Sequence, residues 1–288
     1  HLCRWDDFDE NDIRRIANAC REHRIPCDSL WLDIDHMDGF RIFTWDRGKF
    51  PDPAGFAEEL GRKGFRLIAI LDPGVKRDSG YPVHDEGEKK HLFCTAPDGS
   101  TFVGKVWPGR TVFPDFTQEE TRLWWSALVE RHVKDTFDGL WIDMNEPAFT
   151  DSDDSRMLFG PPDATEPHDA WRNRYAILMA ECTREGLSRA RPGMRPFVLS
   201  RAGSAGIQRF AANWTGDNGS RWAHLEMSLT MCCGLGISGQ PFVGSDIGGF
   251  AEDASAELLV RWYQYAAFQP FCRNHSMKDT DLQWPWSF

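Results

Sequence analysis

Short apolar runs alternate along this chain with longer stretches whose apolar residues recur at helical spacing, and that alternation predicts its architecture. Ser29–Ile34, Arg66–Leu71, Gly139–Ile142, Arg195–Ser200, a short run ending at Trp214, Pro241–Gly244 and Pro270–Cys272 read as seven strands. They are nearly continuous apolar runs with no in-and-out alternation, which indicates strands buried on both faces of a parallel sheet. Helices are expected between them. The first runs from about Glu10 to His23, with Ile13, Ile16, Ala17 and Cys20 on one face and Pro26 as its stop. Another spans Pro53 to Lys63 and is stopped by Gly64. Thr117-Gln118-Glu119-Glu120 reads as a capping box opening a helix that turns Leu123, Trp124, Leu128 and Val129 inward. Further helices are expected over Trp171–Ser188, Trp222–Cys233 and Ser255–Tyr265.

Each strand gives way to polar residues at its C-terminal end. A doubly wound open sheet would alternate in the same way, but it usually carries a glycine-rich phosphate turn after its first strand, and none is present. The pattern therefore fits an α/β (β/α)8 TIM barrel, read as one catalytic segment over residues 1–288. The barrel reads as incomplete. Its first strand would lie just upstream of His1, with Leu2-Cys3-Arg4-Trp5 as the trailing edge, and the helix after the last strand is missing. A start at His1 suggests an excised segment with no signal peptide in view. From Asp72 to Phe116 the sequence is rich in Gly, Pro and Asp without clear periodicity. Residues 73–116 therefore read as an active-site loop inserted after the third barrel strand.

Composition narrows the functional classes. The chain has 288 residues, 41% of them hydrophobic, and a net charge of -11. It can bury a sizeable core, and it carries no apolar run long enough to cross a bilayer. That acidity argues against a nucleic-acid partner, which requires Lys and Arg to displace counterions. The eight cysteines show no C-x-x-C pair and no His-rich companion motif, so no zinc site is expected. Scattered thiols on apolar faces, Cys20 and Cys27 among them, fit a reducing compartment such as the cytoplasm.

An eight-stranded barrel places its chemistry on the loops after its strands, so Asp33, Asp72, Asp143, Arg201, Asp217, Asp246 and His275 would converge on one rim. Two strand-end acids stand out, Asp143 in Trp141-Ile142-Asp143-Met144-Asn145-Glu146-Pro147 and Asp217 in Asn213-Trp214-Thr215-Gly216-Asp217-Asn218. Paired carboxylates suit glycosidic cleavage, in which one attacks or activates water and the other protonates the leaving oxygen. We read Asp143 as nucleophile, with Asn145 and Glu146 as polar support, and Asp217 as acid/base, with Trp214 as an apolar wall raising its pKa. Arg201 and His275 are donors for sugar hydroxyls or the nucleophile's charge, and Asp33 and Asp246 are hydroxyl acceptors. Trp5, Trp107, Trp141, Trp214 and Phe250 could stack on pyranose faces. Taken singly, a strand-end Asp capping a helix, a Gly-Asp-Asn turn or a structural Arg or His is the plainer reading.

Six motifs together resemble glycoside hydrolase family 31, the α-glucosidase family. They are Asp33-Ile34-Asp35-His36-Met37-Asp38, Val106 through Phe116, Trp141 through Pro147, Trp214 through Asn218, Gly244 through Phe250, and Phe271-Cys272-Arg273-Asn274-His275. The resemblance spans nearly the whole chain. It implies Asp143 as catalytic nucleophile, Asp217 as acid/base, and Asp33, Arg201, Asp246 and His275 around a terminal glucose. Ile34, Trp107, Trp141, Met144, Trp214, Phe250 and Arg273 become further pocket positions. It also implies a retaining, exo-acting mechanism on α-glucoside oligosaccharides, with no metal or cofactor. Ser245 and Cys272 stand where relatives often carry other small residues. The family's N-terminal β-sandwich and C-terminal β domains are not in this chain. Within the family, α-xylosidase, sulfoquinovosidase, transglucosidase and α-glucan lyase are the alternatives, with Asp33-Ile34-Asp35 closer to the glucosidases. A silent carbohydrate-binding relative is the non-enzymatic one, disfavoured because both acids are present.

Overall fold

The structure is a computed structural model describing residues 1–288. In chain order its elements are α1 (Glu10–Glu22), β1 (Ser29–Leu32), α2 (Pro53–Arg62), β2 (Arg66–Ile70), β3 (Val75–Lys76), α3 (Pro82–Lys89), β4 (Gly104–Val106), β5 (Gly109–Val112), α4 (Glu119–Val133), β6 (Gly139–Ile142), β7 (Leu158–Phe159), β8 (Glu166–Pro167), α5 (His168–Ala190), β9 (Phe197–Ser200), β10 (Ala212–Trp214), α6 (Trp222–Ile237), β11 (Val243–Gly244), β12 (Asp246–Ile247), α7 (Ala256–Ala266) and β13 (Arg273–Asn274).

Six parallel strands form one sheet in the order β1-β2-β6-β9-β10-β11. The rest of the circumference is made by β12 and β13, which pair in parallel, and by Leu2, which bridges Leu30 on one side and Asn274 on the other. The Leu2 N–H donates to Ser29 and the Cys3 N–H to Asn274, so this short segment sits as a stave between the first and last strands. The trailing-edge reading of Leu2-Cys3 matches that seat. All four residues of β1 and of β6 are buried, as expected of strands covered on both faces. No helix follows β13 in residues 275–288.

Local chemistry explains where the helices begin and end. Asp9 and Asp12 form a reciprocal capping box at the start of α1. The capping box expected at Thr117 does not form: the Thr117 and Gln118 side chains instead both donate to Asp115, and α4 begins at Glu119 with no side-chain cap. Both side chains are held on the Asp115 carboxylate and accept from none of the first helical N–H groups. Helix α6 continues four residues beyond the expected end, through Gly234 and Gly236. The last strand lies at Arg273–Asn274, just beyond the apolar run that suggested it.

Residues 73–116 are more ordered than their composition implied. They contain α3 and a three-stranded antiparallel sheet, β3-β5-β4, whose β4–β5 hairpin turns at Trp107-Pro108. The strands are too short for two-residue periodicity to show in the sequence. At the opposite end of the barrel, Asp138 accepts from the Leu67 N–H and pairs with Arg66 and Arg191, tying β2, β6 and the end of α5 together.

The stave formed by β11 and β12 is split. β11 pairs with β10 and β12 with β13, and the single residue between them, Ser245, accepts a hydrogen bond from the Trp262 indole of α7. A Cβ on Gly244 would lie 2.0 Å from the Phe271 carbonyl oxygen, so only glycine fits this approach of neighbouring staves. Gly244→Ala is therefore expected to destabilise the fold by about 1–3 kcal/mol or more through forced backbone movement, read as a lower denaturation midpoint at unchanged m-value.

Candidate active site

The C-terminal ends of the staves surround a cavity of about 260 Å³. Of the thirteen site residues inferred from sequence, ten line it: Asp33, Ile34, Trp107, Trp141, Asp143, Met144, Arg201, Asp217, Phe250 and His275. Trp214, Asp246 and Arg273 do not. Trp5 and Ile70 complete the lining.

Asp143 follows β6 directly and is buried at the cavity wall. Its Oδ1 takes both of its polar contacts, the Met144 N–H at 2.7 Å and the Arg201 guanidinium at 3.0 Å. Met144 adopts a left-handed backbone with φ 52°, which folds that N–H back over the carboxylate. The other oxygen, Oδ2, carries no hydrogen bond. Burial pushes the Asp143 carboxyl up to about 6, against the pull of Arg201, and the nearby Asp217 charge adds to the rise.

The support expected from Asn145 and Glu146 reaches Asp143 only indirectly. Glu146 grips Arg201 with two bonds, at 3.0 and 2.7 Å. Asn145, fully buried, donates to Ser200 Oγ and accepts from the Ala202 N–H. Both therefore fix the end of β9 and its arginine, and Arg201 in turn holds Asp143.

Asp217 stands at the cavity's solvent-facing side, two residues past Thr215, whose N–H is held by the Gly244 carbonyl. Gly216 takes φ 83°, the turn that swings Asp217 over the opening. The surrounding protein raises the Asp217 carboxyl, and Arg201 and Arg273 pull it down. Trp214 is not the wall beside it: its ring is buried in the barrel interior, edge-on to Trp141 at 5.6 Å. The indole points inward because strand side chains alternate and Trp214 takes the interior face.

Asp33 accepts from the Ile34 N–H at 2.7 Å and lies 3.7 Å from His275 Nε2. Burial pushes Asp33 up to about 8 and His275 well below its ordinary value, so the imidazole is neutral. Trp5, Trp107 and Phe250 form an aromatic mouth to the cavity, with Trp5 parallel to Phe250 and 5.4 Å from Trp107. The Trp5 indole is anchored on Asp35. Aromatic rings and carboxylates lining one cavity suit a pyranose, with its apolar face and hydroxyl edge.

Beneath the floor, Asp246 and Arg273 form a fully buried ion pair at 2.7 Å, so in this structure they sit behind the cavity and Asp246 Oδ1 is occupied by Arg273. Asp72, buried beside Asp143, has its carboxyl pushed well up by burial and then by the Asp143 charge. It was legible on the rim as a strand-end acid. Ile70 was not, because β2 is apolar throughout its buried length and gives no in-or-out signal, and the route of Glu146's support through Arg201 depends on a partner distant in sequence. One cluster of metal-ligating types occurs, Cys3 with Asp33 and His275.

The family model for the glycosyl hydrolases family 31 TIM-barrel domain matches residues 1–288. The chain is 42% identical to alpha-glucosidase 2 of Bacillus thermoamyloliquefaciens, with all of this chain and 37% of that protein covered. It is 43% identical to neutral alpha-glucosidase AB of Homo sapiens, covering 99% of this chain and 31% of that one. Among solved structures it superposes on glucosidase II alpha subunit with a TM-score of 0.94 at 35% identity, covering all of this chain and 32% of that one. The family 31 alpha-glucosidase from Bacteroides thetaiotaomicron gives 0.88 at 42% identity, with 100% and 47% covered. The chain thus spans about a third of the length of the curated relatives it matches. A parallel barrel with paired carboxylates on its C-terminal rim and a family match along its full length place this chain in glycoside hydrolase family 31, as its TIM-barrel domain.

Proposed function

We propose that the chain is the catalytic barrel, 1–288 as one unit with 73–116 contributing an active-site loop, of a retaining, exo-acting α-glucosidase. The observation that carries this reading is that Asp143, with one oxygen bound and the other free, shares a single cavity with Asp217. Asp143 Oδ2 attacks the anomeric carbon while Asp217 gives its proton to the departing glycosidic oxygen, leaving a glycosyl ester on Asp143 and a carboxylate at Asp217. Water then gives a proton to Asp217 and attacks the anomeric carbon, and the ester bond breaks to restore both acids. Asp33 and His275 suit the hydroxyls of the sugar held at the inner end, and Trp5, Trp107 and Phe250 suit its apolar face. The α-glucosidase names of the relatives favour α-linked glucose as that sugar.

Proton NMR of the first-formed glucose, using the full-length parent protein, is expected to show the α-anomer. An initial β-anomer would exclude double displacement. Asp143→Ala is expected to lower kcat by at least about 10³-fold while the protein still folds.

The pH profile follows from the same charges. Activity requires Asp143 ionised and Asp217 protonated, so kcat/KM falls as pH drops through about 6 and falls again above the raised Asp217 pKa. Because Arg201 lowers both carboxyls, Arg201→Gln is expected to shift both limbs of the bell to higher pH, along with a loss of activity. A profile moving on one limb alone would separate Arg201 from the other acid.

The pocket also burdens the fold. Asp33 is neutral in the folded chain up to about pH 8 but ionises near 4 when unfolded, so its contribution to stability declines as pH rises between those values. Asp33→Asn is expected to raise Tm above about pH 8 and change it little below about pH 4, while impairing sugar binding.

A further inference from the structure

We propose that Cys3, Asp33 and His275 form a binding site for a thiophilic divalent cation of the zinc type at the inner end of the cavity. One ligand atom from each residue can be chosen so that all three lie within 4.8 Å of one another, and His275 Nε2 is already 3.7 Å from Asp33 Oδ2. Tetrahedral zinc bonds of about 2.0–2.3 Å hold neighbouring ligand atoms roughly 3.3–3.8 Å apart, so the cluster needs to contract by only about 1 Å. All three residues are buried: Cys3 and His275 are each 1% exposed.

The ligands are also free to bind. His275 Nε2, the nitrogen nearest Asp33, makes no hydrogen bond, and burial keeps the ring neutral, the state in which imidazole coordinates metal. The Cys3 thiol makes no hydrogen bond, its backbone N–H being spent on Asn274. The carboxyls of Asp33, Asp72, Asp143 and Asp246 outnumber the guanidiniums of Arg4, Arg201 and Arg273 around the site. A cation therefore enters a region of surplus acid once those groups ionise. Asp33 and His275 line the cavity, so the ion reaches Cys3 from that side and a water completes its shell. Binding releases the thiol and carboxyl protons to solvent.

The ligands come from the first stave, the end of β1 and the residue after β13, which barrel closure alone brings together. No spacing motif exists to find in the sequence. Occupancy removes Asp33 and His275 from sugar binding, so the ion acts as an inhibitor competitive with glucoside; this consequence rests on the proposed function, whereas the site itself does not.

The test is a Co²⁺ titration of the full-length parent protein, followed by its thiolate-to-metal absorption, beside Cys3→Ser and Cys3→Ala forms whose folding is checked by circular dichroism. The expected result is a charge-transfer band in the wild type that both variants lose, with at least a 10-fold weaker Zn²⁺ affinity by calorimetry. A wild type without the band, or one whose band survives in both variants, overturns the site. Zn²⁺ is expected to raise the apparent KM for a chromogenic α-glucoside at unchanged kcat, with that effect lost in Cys3→Ala, whose metal-free activity stays near wild type. A Cys3-dependent band in a protein that cleaves no glucoside would leave the site standing and overturn the catalytic reading instead. Normal cleavage with no band does the reverse.

Discussion

The Arg273 guanidinium is the constraint around which this barrel is organised. It is fully buried, paired with Asp246 at 2.7 Å, and lies 4.6–5.5 Å from the ring centroids of Trp31, Trp141, Trp214 and Phe271. Those rings come from β1, β6, β10 and the approach to β13, so one cation contacts staves on several sides of the barrel. A charge in such a place is tolerated only when paired and surrounded by polarisable faces. Even so, Asp246 is pushed up to about 7 by its burial. The pair and its aromatic cage make the floor on which the cavity residues rest, and Trp141 belongs to both: its ring is part of the cage and of the cavity lining.

The cavity and its floor together concentrate carboxyl groups that water would keep ionised. Asp33, Asp72, Asp143 and Asp246 are all displaced upward, with burial as the first cause each time. Such a site opposes folding at neutral pH, and the rest of the chain compensates through a contiguous buried core and tight stave contacts such as that at Gly244. Arg201 moderates the conflict. It is held by Glu146 and reaches Asp143, so one guanidinium keeps the proposed nucleophile nearer to ionisation than its buried neighbours Asp33 and Asp72.

Much of this was legible in the sequence because buried parallel strands leave long apolar runs, and because several of these runs stop at a polar residue that folding brings to the rim. Asp33, Asp143 and Arg201 each follow directly on a strand, so their placement needed only the strand ends. What escaped was set by partners distant in sequence. Thr117 was diverted by Asp115, Asn145 went to Ser200, and Trp214 took the interior face, outcomes fixed by competition among neighbours. The short strands of residues 73–116 are stabilised by one another more than by any internal pattern, so composition suggested a loop where a small sheet stands.

The one-sided hydrogen bonding of Asp143 carries a consequence for the second half of the proposed reaction. Once Oδ2 is joined to the sugar, Oδ1 becomes the carbonyl oxygen of an ester, still facing the Met144 amide and the Arg201 guanidinium. Both groups draw electrons from that carbonyl and make the carboxylate a better leaving group. In the proposed reaction, the contacts that restrain the resting acid therefore also hasten its release and keep the enzyme from stalling with the sugar attached.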